Sequence, residues 1–94
     1  MNELVTLIEE AKKSSGCRVE KVGDLYRFYE EDTITIQECI DYIEMEGYRV
    51  LRYEGPEIIE DTMFYGILAE IVKEEDLPEE ERGEYTVICG VDYN

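Results

Sequence analysis

Carboxylates are the side chains through which this chain could act. Asp and Glu number 25 against 9 Lys and Arg, with no His, for a formal net charge of −16 on 94 residues. Paired carboxylates can hydrolyse a glycoside or hold Mg²⁺. With 25 candidates, however, some pairs fall close together by chance. The commonest general acid–base is missing with His. A cysteine nucleophile needs a base beside it, and none is signalled near Cys17, Cys39 or Cys89. The seven glycines are scattered at turns, without a phosphate-binding loop. Asp92-Tyr93-Asn94 matches the start of a calcium loop in its D-x-N spacing and in nothing more. The chain therefore reads as a non-enzyme, with no cofactor and no metal centre.

Charge of this size governs association. It repels nucleic acid and anionic membrane, and it attracts basic protein surfaces. Its distribution is uneven: residues 17–29 carry a net of +1, residues 30–61 a net of −9, and residues 62–83 a net of −5. The middle of the chain is the acidic pole. Its candidate contact residues are Glu30, Glu31 and Asp32, then Glu38, Asp41 and Glu44 on the outer side of a helix, then Glu60 and Asp61. Tyr42 stands among them as the aromatic expected at an interface, one of eight tyrosines.

On a helix, carboxylates three or four residues apart have Cβ atoms roughly 5–6 Å apart. Duplex DNA carries one phosphate per about 3.4 Å of axis on each strand. A rigid face of spaced carboxylates can therefore occupy a cleft built for phosphates. The competing reading makes the acids a solvated face that keeps the protein soluble. A small domain needs a net charge of only about 2–8 for that purpose. A halophilic origin fits poorly, because only six of the acids are Asp.

The elements that must position these residues follow from periodicity. A helix is expected over residues 2–15, with Asn2 as N-cap and Leu4, Leu7, Ile8 and Ala11 in one apolar stripe, ending at Gly16. Residues 17–30 read as a β-hairpin turning at Gly23-Asp24. The implied register sets Val22 against Leu25, Glu20 against Arg27, Val19 against Phe28 and Arg18 against Tyr29, with Cys17, Val19, Tyr26 and Phe28 on the core face. Thr35-Ile36-Gln37-Glu38 has the form of a capping box, opening a second helix with Ile36, Cys39, Ile40 and Ile43 inward and Gly47 at its end.

Tyr48–Glu54 reads as a strand stopped by Gly55-Pro56. Ile58 and Ile59 suit a contact anchor, a short edge strand or a cap on the core. Residues 63–72 are apolar at both helical and strand spacing. The strand is preferred because Gly66 weakens a helix and because a final strand over Glu84–Asp92 needs a partner. That final strand would point Tyr85, Val87, Cys89 and Val91 one way. Between them, Leu77-Pro78 followed by three glutamates suggests one helical turn closed by Gly83.

The expected architecture is one α+β domain: two helices on a small twisted, mainly antiparallel sheet, in the order α-β-β-α-β-β-β. A helical 63–72 would give α-β-β-α-β-α-β. Three cysteines at wide spacing, without a C-x-x-C pair, argue against a disulfide framework and against zinc. They fit three small buried thiols in a reducing cytoplasm. Met1-Asn2-Glu3-Leu4 has no signal-peptide character, and no apolar run approaches a membrane span.

The functional expectation is a small acidic inhibitor that blocks the basic groove of a nucleic-acid-binding protein, such as a nuclease or defence effector. It would touch neither nucleic acid nor membrane itself, and would act as a monomer or homodimer. In size and charge it resembles phage-encoded inhibitors of host defence, the anti-restriction and anti-CRISPR proteins. No motif carries that resemblance. The alternative is a regulatory or adaptor module, or a homodimer, joined through an apolar or sheet-edge surface.

Overall fold

The computed structural model describes residues 3–88. Its order is α1 (Glu3–Ser15), β1 (Arg18–Val22), β2 (Leu25–Glu30), α2 (Thr33–Met45), β3 (Tyr48–Ile58) and β4 (Tyr65–Lys73), followed by single 3₁₀ turns at Glu74–Asp76 and Glu79–Glu81. The four strands form one antiparallel sheet in the order β1-β2-β4-β3. Both helices pack on it, which makes the chain an α+β protein of the expected class. Among the described residues, no helix is long and apolar enough to cross a membrane.

The hairpin forms as the side-chain pairing implies. Arg18 faces Tyr29, Val19 faces Phe28, Glu20 faces Arg27 and Val22 faces Leu25. Gly23 takes φ 63°, the left-handed geometry at the first turn position that a two-residue loop of this kind requires. Cys17 and Phe28 are buried, and Val19 and Tyr26 pack on the core beside them.

The core lies between helices and sheet. Leu7, Ile8 and Ala11 of α1 and Ile36, Cys39, Ile40 and Ile43 of α2 meet Phe28, Val50, Ile67, Ala69 and Ile71 of the strands. Full burial of an isoleucine or phenylalanine side chain contributes about 1.5–3 kcal/mol. Ile36, Ile40, Ile43, Ile67 and Phe28 are therefore main sources of stability.

The stretch left between helix and strand is strand from Tyr65 onward, with Met63 and Phe64 in the preceding loop. β4 is a central strand, bonded to β2 on one side and β3 on the other. Gly66 has a packing role there: a Cβ at this position would lie 2.7 Å from Ile59 Cδ1. Ile59 thus folds over the strand at its one side-chain gap. Ile58 pairs with Tyr65 as the last residue of β3, so the edge-strand reading holds for it. β3 itself runs beyond Glu54 through Gly55 and Pro56, with register shifts between Arg52 and Glu54 and between Glu54 and Glu57.

Two expectations need correction. The capping box at Thr35 does not open α2. Asp32 is the N-cap, and its Oδ1 accepts from the Thr35 amide at 2.7 Å. The helix starts three residues earlier because a carboxylate acceptor was available upstream. The expected strand over Glu84–Asp92 is not formed across 84–88, and residues 89–92 lie outside the described residues.

Side chains take the backbone groups that a strand partner would have used. Gln37 Nε2 donates to Thr86 O at 2.8 Å, and the Ile88 amide donates to Gln37 Oε1 at 2.6 Å. Thr86 Oγ donates to Val50 O at 2.6 Å. Ile88 is buried and Thr86 half-buried, while Tyr85 and Val87 are exposed. β4 is a strand because of β2 and β3, not because of this segment. The expected Asn2 cap of α1 likewise lies outside the described residues.

Candidate partner-binding surface

The outer side of α2 is built by its cap. With Asp32 as N-cap, the inward stripe is Ile36, Cys39, Ile40 and Ile43. Helical spacing then places Ile34, Glu38, Asp41 and Met45 together on the opposite side, at i, i+4, i+7 and i+11. All four are exposed. Ile34 is 63% exposed and Met45 81%, so two carboxylates sit between two bare apolar side chains. Val87, also exposed, flanks the helix where Gln37 holds the following segment.

The sheet register gathers a second set. Glu30 stands beside Tyr65, and Tyr65 beside Ile58. The link at Glu31 and Asp32 and the loop from Ile59 to Phe64 therefore leave the same end of the sheet, where α2 begins. Glu31, Asp32, Glu60 and Asp61 are all exposed there. Asp61 is held at φ 66° in a loop closed by the Ile59 amide on Phe64 O at 2.8 Å.

Five of the expected contact residues have structural duties. Glu44 is only 4% exposed and belongs to the interior, not to the outer side of α2. It lies one turn beyond Ile40, on the flank turned toward β3. Its Oε2 accepts from the Val50 amide at 3.0 Å and from Arg49 Nε at 3.3 Å, and its Oε1 accepts from the Thr86 amide at 3.1 Å. Tyr42 is half-buried and packs against the core, so it is not the exposed aromatic expected. Glu30 is half-buried and paired with Arg18. Asp32 spends one oxygen on the helix cap. Asp41 accepts from Gln37 Nε2 at 2.9 Å while remaining exposed.

Among the described residues there are three ion pairs, Lys12–Glu9, Arg18–Glu30 and Arg49–Glu44. None involves Glu31, Glu38, Asp41, Glu60 or Asp61. The surface acids on this side are thus uncompensated by the fold. No three His, Cys, Asp or Glu side chains among the described residues group as a metal site would require. A second acidic cluster lies beyond the C-terminal end of β4, where the two 3₁₀ turns carry Glu74, Glu75, Asp76, Glu79, Glu80 and Glu81.

One acidic feature was not anticipated. A cavity of about 370 Å³ is lined by Glu3, Thr6, Leu7, Glu10, Glu46 and Tyr48. Glu3 and Glu10 share a helix side at i, i+7, which is visible in sequence. Glu46 joins them only through the packing of α1 beside α2. Comparison of the chain with protein-family models, curated protein sequences and solved structures returns no match.

Proposed function

We propose that this protein binds a basic, nucleic-acid-handling protein and occupies the surface on which that partner holds its nucleic acid. The observation that carries the reading is the outer stripe of α2: unpaired Glu38 and the exposed Asp41 between Ile34 and Met45. Carboxylates stand in for phosphates against Lys and Arg, and the apolar ends give a protein interface something to desolvate. Solubility alone explains the acids but not the bare Ile34 and Met45. The acids at the start of α2 extend the same surface, and long-range attraction speeds the encounter. The protein is a binding inhibitor rather than an enzyme, of the style of anti-restriction and anti-CRISPR proteins, acting in a cytoplasm that keeps its cysteines reduced.

Charge reversal tests this. Glu31 and Glu38 lend no side-chain bond to the described fold, so Glu31→Lys/Glu38→Lys leaves stability within about 0.5 kcal/mol per site. Binding to the partner should fall at least tenfold. Undiminished binding by the folded double variant would sink the proposal. A second reading, a homodimer or adaptor joined through apolar surface, draws on the same Ile34 and Met45. It predicts association that moderate salt leaves intact.

A further inference from the structure

The two edges of the sheet differ. β3 forms one edge, and the fold occupies it. The Val50 amide donates to Glu44 Oε2, and the Val50 carbonyl accepts from Thr86 Oγ. Register shifts and Pro56 interrupt the rest of that strand. β1 forms the other edge, with neither a proline nor a register shift. Antiparallel pairs alternate between residues that exchange backbone bonds and residues that turn those groups away. Counted from Val22–Leu25, which closes the two-residue loop, Val19 and Lys21 turn their amides and carbonyls outward. Among the described residues no strand lies beside them.

A groove runs along this bare edge, between β1 and α1. One cavity of about 340 Å³ reaches Lys12, Lys13 and Arg18, and another of about 170 Å³ reaches Val5, Ile8, Lys21 and Tyr26. Glu9 and Val19 line both, so the two adjoin. Val5 is 50% exposed here and offers an apolar wall. The charge balance is inverted along the groove. Lys12, Lys13, Arg18 and Lys21 face two acids, Glu9 and Glu20, on a chain where acids outnumber bases 25 to 9. Lys13 and Lys21 enter none of the ion pairs among the described residues.

We propose that the β1 edge binds an extended acidic peptide segment of another protein, which adds to the sheet as a further strand. Backbone bonds to Val19 and Lys21 supply the affinity common to strand addition. Apolar side chains on one face of the peptide fill the groove against Val5 and Val19. Its carboxylates meet Lys12, Lys13, Lys21 and Arg18. Charge selects this occupant. A second copy of the chain would bring the same bases against these, and charged side chains on an edge oppose such pairing. A nucleic acid offers phosphates to the lysines, but it has no peptide backbone for Val19 and Lys21 and no aliphatic side chain for the groove. The site uses neither Glu38 nor Asp41, so it stands or falls apart from the acidic surface of α2.

The test selects a displayed library of random linear peptides on the full chain and titrates the enriched sequences as free synthetic peptides. Enrichment in Asp and Glu alternating with apolar residues is expected. By NMR hydrogen exchange, bound peptide should protect the Val19 and Lys21 amides and leave those of Glu20 and Val22, already bonded to β2, little changed. Lys13→Glu/Lys21→Glu should weaken binding at least tenfold while the melting temperature holds. Lys21→Pro, which removes one outward amide, should also weaken it; if that variant does not fold, the exchange result on the unaltered chain decides the edge. Glu31→Lys/Glu38→Lys should still take the peptide, whatever becomes of the function proposed above. Selection of no sequence, or of sequences without acidic bias, would overturn the proposal. So would binding that the lysine reversal leaves intact, or Val19 and Lys21 amides that exchange as before. A single-stranded oligonucleotide bound at these lysines when no peptide is selected would assign the bases to phosphate and refute it. Self-association that protects the same two amides would give the edge to a second copy and refute it equally.

Discussion

Glu44 and Glu38 lie six residues apart on one helix and have opposite roles. The Glu44 carboxylate answers three donors: the amides of Val50 and Thr86 and the Arg49 guanidinium. Arg49 is itself buried and also donates to Glu81 O at 2.8 Å. Removing one partner of a buried pair strands the other charge, at a cost of about 3–5 kcal/mol. Glu44→Ala should therefore lower the urea midpoint by an amount matching that loss, whereas Glu38→Ala should leave it almost unmoved. Equal midpoints for the two variants would contradict the assignment. A smaller effect is expected at Tyr53, whose hydroxyl donates to Glu70 Oε1 at 2.9 Å. The Glu70 carboxylate holds the phenol above its ordinary value through that bond and through its charge. Tyr53 is protonated below pH 10 in either state, so this small contribution is complete there and fades as pH rises through the shifted value. In Glu70→Gln, an NMR titration should show Tyr53 ionising at lower pH than in the unaltered protein.

Elements show where sequence is a sufficient guide. The hairpin was legible down to its register, because a two-residue turn leaves one pairing and each resulting pair is chemically sensible. The first turn of α2 was misread because two overlapping patterns compete. Thr35 with Glu38 has the capping-box form, yet Asp32 with Thr35 supplies the stronger acceptor. Asp32→Ala should cost about 1 kcal/mol, and Thr35→Ala should cost clearly less, by chemical denaturation. A larger loss at Thr35 would restore the original boundary. Residues 84–88 were misread because alternation shows that a segment has two sides but not what will bond its backbone. Here it is the side chains of Gln37 and Glu44, some 42–51 residues away. The same limit applied to Glu44 within the proposed surface. Its donors come from β3 and the last described segment, and no helical wheel contains them. The exposed stripe around Glu38 and Asp41, by contrast, needed only the helix period. Gly66 illustrates a third case: the residue weakened a helix in the sequence reading, and the structure adds that Ile59 occupies the space. Gly66→Ala should destabilise by about 1–3 kcal/mol through that contact.

At the scale of the whole molecule, charge has two consequences. The first is self-repulsion. Nine bases face 25 acids, and the described residues form three ion pairs. The Debye length shortens from about 30 Å at 0.01 M salt to about 10 Å at 0.1 M. Screening over that range should raise the melting temperature; each kcal/mol gained corresponds to roughly 4–8 °C in a domain of this size. An unchanged melting temperature would show that the acidic pole does not strain the fold. The second, on the function proposed above, is attraction to a basic partner. The most direct measurement is affinity capture by the tagged protein from lysate of its own host, washed first at low and then at high salt, with mass spectrometry of each fraction. The acidic surface of α2 predicts a nucleic-acid-binding protein that is retained at low salt, released at high salt and missing when Glu31→Lys/Glu38→Lys is the bait. A partner held equally at both salt concentrations, or captured equally by the variant, would contradict it.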